Sequence, residues 1–179
     1  MKHMENGHLE SSLSSFYRLV RSPKIAAFTL IELLIVIAVI GMLSAIILSS
    51  VSSGRAKSRD AKRVDELREM GKTLFLNDKE PAQNLAGCNA AAHTDASTCN
   101  GPAPINFQYY KDVITPGTAC TNLSVSTCQY SISRAGGAAG PTTQDFEVCS
   151  YLEIGVPGLT AGLVRVATDR GGNVVQGCI

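Results

Sequence analysis

The chain has no tryptophan, only 6% aromatic residues, and almost no net charge, with 16 Lys and Arg against 15 Asp and Glu. Without a basic excess or a Lys/Arg patch interleaved with aromatics, nothing marks a nucleic-acid-binding surface. The only histidines are His3, His8 and His93, no Cys-x-x-Cys pair occurs, and no Gly-rich phosphate loop precedes a helix. Close-spaced thiolate zinc sites and the usual acid–base and nucleophile arrangements are therefore not indicated, and the chain does not read as an enzyme. Cysteine is missing from the first 87 residues, then occurs six times, at Cys88, Cys99, Cys120, Cys128, Cys149 and Cys178. An even count confined to one part of the chain suggests disulfides in an oxidising compartment. Six cysteines allow fifteen connectivities. The sequential pairing Cys88–Cys99, Cys120–Cys128, Cys149–Cys178 is preferred because its first two pairs close short loops.

What the sequence does have is one long apolar run, from Phe28 to Leu48. Some 20 residues at 1.5 Å each make about 30 Å of helix, the thickness of a bilayer's hydrocarbon core. Backbone groups in lipid must be satisfied within the segment, so a helix is expected there despite the many Ile and Val residues. Arg18, Arg21 and Lys24 precede the run, which predicts a cytoplasmic N-terminus and an exported remainder. Glu32 is the anomaly. At headgroup depth it would be hydrated and harmless; deeper, a carboxylate in a span is costly and calls for a partner.

The order Lys24-Ile25-Ala26-Ala27 followed by Phe28-Thr29-Leu30-Ile31-Glu32-Leu33 resembles the processing site of type IV prepilins and type II secretion pseudopilins. In that family a leader ending in a small residue is cut before a Phe, and a Glu stands fifth in the mature chain. The resemblance covers roughly residues 24–76 and includes Gly41. It departs at Ala27, where Gly is commoner, and at Ser49, where many members carry a helix-breaking proline. It implies cleavage between Ala27 and Phe28 and methylation of the new amine by the prepilin peptidase/N-methyltransferase. It further implies an inner-membrane assembly platform as partner, membrane lipid around the helix before assembly, and polymerisation with other copies through Phe28 and Glu32. The location implied is the cytoplasmic membrane, then an extracellular pilus or a periplasmic pseudopilus. No cofactor and no metal are expected, although some pseudopilins carry calcium in the head. An ordinary signal peptide competes, because Ser49–Gly54 could mimic its cleavage site, although its apolar region would be about 7–15 residues. A tethered adhesive ectodomain that never polymerises is the alternative from another class.

Beyond the serines, Val64, Leu67, Gly71 and Leu74 recur at helical spacing, with Met70 and Phe75 beside them. Lys62 with Glu66, Asp65 with Arg68 and Glu69 with Lys72 stand at supportive separations. The bases from Arg55 to Arg63 read as a solvated helix face; a membrane-surface patch, or pairing with Asp65 and Glu66 of neighbouring subunits, would be other uses. Asn77-Asp78 and Pro81 should end the helix. Residues 82–118 are turn-rich, with Phe107–Tyr110 as a possible short strand, and three or four antiparallel strands follow. The expected fold is α+β: a long N-terminal helix whose second half packs on a small antiparallel sheet, stapled by disulfides. The expected organisation is a leader over 1–27, the helix over 28–80 and a head over 81–179. Asp145, Glu147, Glu153 and Asp169 are candidate oxygen ligands for calcium, with no diagnostic spacing. Asn122-Leu123-Ser124 fits a glycosylation pattern that often arises by chance.

Overall fold

The computed structural model describes residues 28–78 and 80–179. The leader and Ala27 lie outside the described residues. A single helix, α1, runs from Leu30 to Leu76, and the Ser49–Gly54 stretch does not interrupt it. Asn77 and Asp78 close its end through bonds from their amides to Leu74 and Phe75. Two compact units divide the chain at Ala45/Ile46.

In the first unit the side chains of α1 are exposed all round: Leu30, Ile31, Leu33, Leu34, Ile35, Val36, Ile37, Val39 and Ile40 have no cover. Among the described residues α1 is long and apolar enough to cross a membrane, its most apolar 18-residue window having a mean hydropathy of 2.9 with none of it buried in the protein.

The second unit holds the core. Five strands, β1 (Thr94–Asp95), β2 (Ser131–Ser133), β3 (Glu147–Val156), β4 (Leu159–Ala167) and β5 (Val175–Gln176), form an antiparallel sheet in chain order. Side chains alternate between its faces. Ile132, Val148 and Val166 pair across β2, β3 and β4 on the face that packs with Val64, Leu67, Met70 and Leu74 of α1. The amphipathic stripe of the helix thus meets the β-branched face of the sheet. Gly71 lets the two approach, since a Cβ there would stand 2.7 Å from a Val166 methyl. Phe75 packs edge-on against Phe146, centroids 5.2 Å apart.

The opposite face carries Glu147, Cys149, Tyr151, Leu163 and Arg165, with a small cluster built on Cys120, Cys128 and Cys149. The disulfides join Cys88 to Cys99, Cys120 to Cys128 and Cys149 to Cys178, the sequential arrangement. The last ties the chain after β5 to the sheet, where the Ile179 amide donates to buried Glu147 and Glu147 pairs with Arg165 at 2.7 Å.

Two local expectations fail. Phe107–Tyr110 is a turn, closed by the Tyr110 amide on the Phe107 carbonyl; Phe107 is buried beside Tyr110, with ring centroids 5.7 Å apart. Aromatic content signals burial, and burial alone does not make a strand. The edge strand at Thr94–Asp95, two residues long, lies inside the stretch that reads as loop, because so short a segment carries no periodicity.

Candidate functional site

Two groups of charged residues stand out, one at each end of the chemistry expected from the sequence. The first is the start of α1. Thr29 precedes the helix, its carbonyl accepts from the Leu33 amide, and its hydroxyl accepts from the Glu32 amide at 3.3 Å. Glu32 answers by accepting from the Thr29 amide at 3.0 Å and from its hydroxyl at 2.9 Å. This is a reciprocal capping box, in which an N-terminal Thr and a Glu three residues on satisfy each other's backbone donors. Phe28 is 83% exposed beside it. Within one chain, then, the carboxylate of Glu32 is held by Thr29 and exposed, with no cation bound to it among the described residues. The sequence reading found Glu32 and Phe28 but overlooked Thr29, although T-x-x-E ahead of an apolar run is a signal that would have found it.

The second group anchors α1 to the sheet. Asp60 and Arg63 fall in phase with Val64, Leu67, Met70 and Leu74 and are equally buried. Asp60 accepts from three successive amides, those of Glu153, Ile154 and Gly155, each at 2.8 Å. They converge because β3 shifts register between Leu152 and Gly155, and because Gly155 takes φ +93, where a Cβ would meet the Leu159 carbonyl at 2.4 Å. Arg63 then bonds three carboxylates: Asp60 at 2.9 Å, Asp112 at 2.6 Å and Glu153 at 2.8 Å. Arg59 adds a two-pronged pair to Glu153. Asp112 also takes the amides of Ile114 and Thr115, and its own amide donates to Gln129, which reaches on to Asp95 of β1.

Electrostatics follow from this geometry. Burial opposes the charge of Arg63, but the hydrogen bonds that it donates to Asp112, Glu153 and Asp60 outweigh it and hold the guanidinium protonated. Burial likewise works against Asp112, yet Arg63 and the Thr115 and Ile114 amides hold it below the usual carboxylate range. Arg59, then Arg63, take Glu153 down to about 2. Burial, reinforced by Glu69, pushes the Tyr110 hydroxyl up to about 12.

A carboxyl group whose folded pKa is depressed contributes stability above its unfolded value, and that contribution disappears as pH falls through the folded value. For Glu153 the window runs from 4.5 down to about 2. The melting temperature is therefore expected to hold from neutral pH to about 5 and then to fall steeply toward pH 2. Glu153→Gln should lower the plateau and flatten the acid limb; an acid limb as steep as the parent's would show that the loss arises elsewhere.

The reading of Arg55–Arg63 as a solvated face is thus corrected for Arg59 and Arg63, which are spent on the head. Their partners Asp112 and Glu153 lie 49 and 90 residues beyond Arg63, out of reach of any helical-spacing argument. Lys62–Glu66 and Asp65–Arg68 do pair, at 3.5 and 3.3 Å, the second in solvent and the first at the edge of the head, where Glu66 also accepts from the hydroxyl of buried Tyr130. The four acids considered for calcium do not converge: Asp145 pairs with Arg134, Glu147 with Arg165, Glu153 with Arg59 and Arg63, and Asp169 with Arg165 and Arg170. Glu147 does lie near the sulfurs of Cys149 and Cys178, but these are joined in a disulfide and are not thiolate ligands. Asn122–Ser124 is the turn of the Cys120–Cys128 loop, with the Ser124 amide bonded to the Thr121 carbonyl.

Residues 22–48 match the model of the prokaryotic N-terminal methylation motif, the signal segment of type IV pilins and pseudopilins. No curated protein and no solved structure matches the chain. The match is confined to that segment; it supports a pilin-like or pseudopilin-like protein and points to a structural subunit rather than an enzyme.

Proposed function

We propose that the chain is the precursor of a type IV pilus subunit. The leader is cut between Ala27 and Phe28, the Phe28 amine is methylated, and the mature chain waits in the inner membrane with its head exported until the assembly platform adds it to a filament. The observation that carries this reading is the methylation motif running into a helix whose apolar side chains from Leu30 to Leu48 have no cover in their own chain. Such a surface is compatible with water in neither state; lipid covers it first and the same helices of other copies cover it afterwards.

In that bundle Glu32 needs a cation, and the proposed one is the Phe28 amine of a neighbouring subunit. The carboxylate would then trade its Thr29 bonds for an ion pair in a low-dielectric core, where an unmatched charge is severely penalised. An incoming subunit out of register leaves that charge unmatched, so pairing selects register while Leu, Ile and Val supply the packing. A head stapled by three disulfides suits a surface filament exposed outside the cell. The pseudopilin is the second reading, and the same chemistry would serve it.

N-terminal sequencing and mass measurement of the protein recovered from cells with the full processing machinery test the proposal. The expected product starts at Phe28 and is about 14 Da heavier for one methyl group. A start near Ser50, or an intact leader, would remove the filament reading in favour of a secreted or tethered domain. Recovery of the processed chain from sheared surface filaments, against retention in the periplasm, separates pilus from pseudopilus.

A further inference from the structure

An apolar groove of about 640 Å³ opens between α1 and the β3–β4 hairpin, with Lys57 and Ala61 on one wall and Ile154, Val156, Pro157 and Leu159 on the other. Lys57 is the one charged residue that lines it. A lysine stem lies readily along apolar surface while its ammonium stays in water, so the groove suits an uncharged, apolar occupant.

The same unit displays such an insert. Between Asp112 and Arg134 the chain has no charged residue, and the loop closed by Cys120–Cys128 presents Leu123 and Val125 at 82% and 86% exposure. Apolar side chains scattered singly over a surface need no explanation. Here two stand together on a loop whose shape is already set. The Thr121 amide donates to the Ser124 hydroxyl at 2.9 Å, the Leu123 amide to the Thr121 hydroxyl at 3.3 Å, and the Ser124 amide to the Thr121 carbonyl at 3.1 Å. With the disulfide beneath it, this backbone has little freedom left to lose on binding.

Loop and groove face different ways. Cys120 and Cys128 pack with Cys149, Tyr151 and Leu163 on the face of the sheet turned from α1, whereas the groove is walled by α1 itself. One head therefore cannot fill its own groove. A contact between two different patches of one surface is heterologous, and repeated from copy to copy it gives an open filament rather than a closed dimer. Two side chains cover only a fraction of the roughly 1,200 Å² that a stable free complex buries. The contact accordingly belongs to copies already held side by side, where the effective concentration is high, and not to free heads.

We infer that the Cys120–Cys128 loop of one copy seats Leu123 and Val125 in the groove between α1 and the β3–β4 hairpin of the next. The inference rests on the filament reading above. It adds a head-to-head contact to the packing of helices, and each copy gives its loop to one neighbour and its groove to another.

All six native cysteines are spent in disulfides, so introduced cysteines supply the free thiols for the test. Val125→Cys and Ile154→Cys are placed in one full-length chain, filaments are sheared from cells with the complete processing machinery, and a short bismaleimide is added. Its thioether links survive reduction on a denaturing gel. The expected result is a ladder of dimers, trimers and longer products from the paired variant, dimers only when the two single variants are co-expressed, and monomers from either single variant alone. Leu123→Asp with Val125→Asp should lower filament yield roughly tenfold or more, because carboxylates enter an apolar groove without partners. Both positions are in solvent in the free head, so its melting temperature should not change. Filaments that give no ladder, or normal yield from the aspartate pair, overturn the contact and spare the filament reading. Products of the paired variant that stop at dimers, or dimers from one single variant alone, reveal a closed contact and overturn it too. Failure of the parent chain to form filaments overturns the filament reading and the contact with it.

Discussion

Arg63→Ala is expected to destabilise the second unit by about 3–5 kcal/mol, the cost of leaving buried carboxylates without their cation. Domains of this size are stable by only about 5–15 kcal/mol, so the variant should melt many degrees lower or fail to fold. The size of the effect comes from the number of groups that share one guanidinium: Asp60 and Asp112 are nearly inaccessible and Glu153 is mostly covered. Arg63→Lys should recover little, because a point-like ammonium cannot reproduce the fork that meets Asp112 through two nitrogens and Asp60 and Glu153 through one. Removing an acid along with the base, as in Arg63→Met with Asp112→Leu, should restore part of the loss, since two uncharged partners no longer demand compensation. Arg59→Ala should cost less, its side chain being 30% exposed and Glu153 keeping Arg63. Urea unfolding of the full chain in detergent measures all four. Stability of Arg63→Ala within about 1 kcal/mol of the parent, the range of a surface ion pair, would show that the network is not what holds α1 to the sheet. The same expectation bears on assembly experiments: a charge reversal at Arg63 would abolish filaments by unfolding the head and says nothing about contacts between subunits.

Glu32→Ala is expected to eliminate filaments while the protein stays in the membrane, processed and with its disulfides formed. Alanine removes two things together, the charge and the cap on Thr29, and the capping box allows them to be separated. Glutamine at the third helical position still accepts from the Thr29 amide, so Glu32→Gln keeps the helix start and deletes only the charge. If buried charge matching drives assembly, the glutamine variant should fail as completely as the alanine variant. If glutamine assembles and alanine does not, the role of Glu32 is to start the helix, and pairing with the Phe28 amine is wrong. Filament yield after shearing, with membrane-fraction immunoblots as the control for export, distinguishes these outcomes. Both variants assembling normally would favour a tethered ectodomain that never polymerises.

These two residues mark where sequence reasoning succeeds and where it stops. The apolar run, the carboxylate near its start and the small residue before Phe28 are contiguous, so their spacing along the chain is set by covalent geometry and the motif can be read directly. The stripe from Val64 to Leu74 was legible for the same reason, as were the strands β3 and β4, whose runs of β-forming residues are bounded by local turn signals. Asp60 and Arg63 carry the same helical phase as that stripe, yet their charge argued for solvent. Nothing within a few turns shows that Asp112, Glu153 and the three amides of the β3 bulge return to meet them.

By itself, then, the sequence determined the elements and the chemistry carried within one helix: a membrane-length segment, a processing motif, an amphipathic continuation, a β-rich remainder and enough cysteine to staple it. Which bases are structural and which are free was decided only by the tertiary structure. A charge is tolerated inside a protein when opposite charges and hydrogen-bond donors converge on it from several segments. That convergence depends on the packing of a bulged hairpin against the helix, and it consumes Arg59 and Arg63, whereas Arg55 and Lys57 make no ion pair among the described residues.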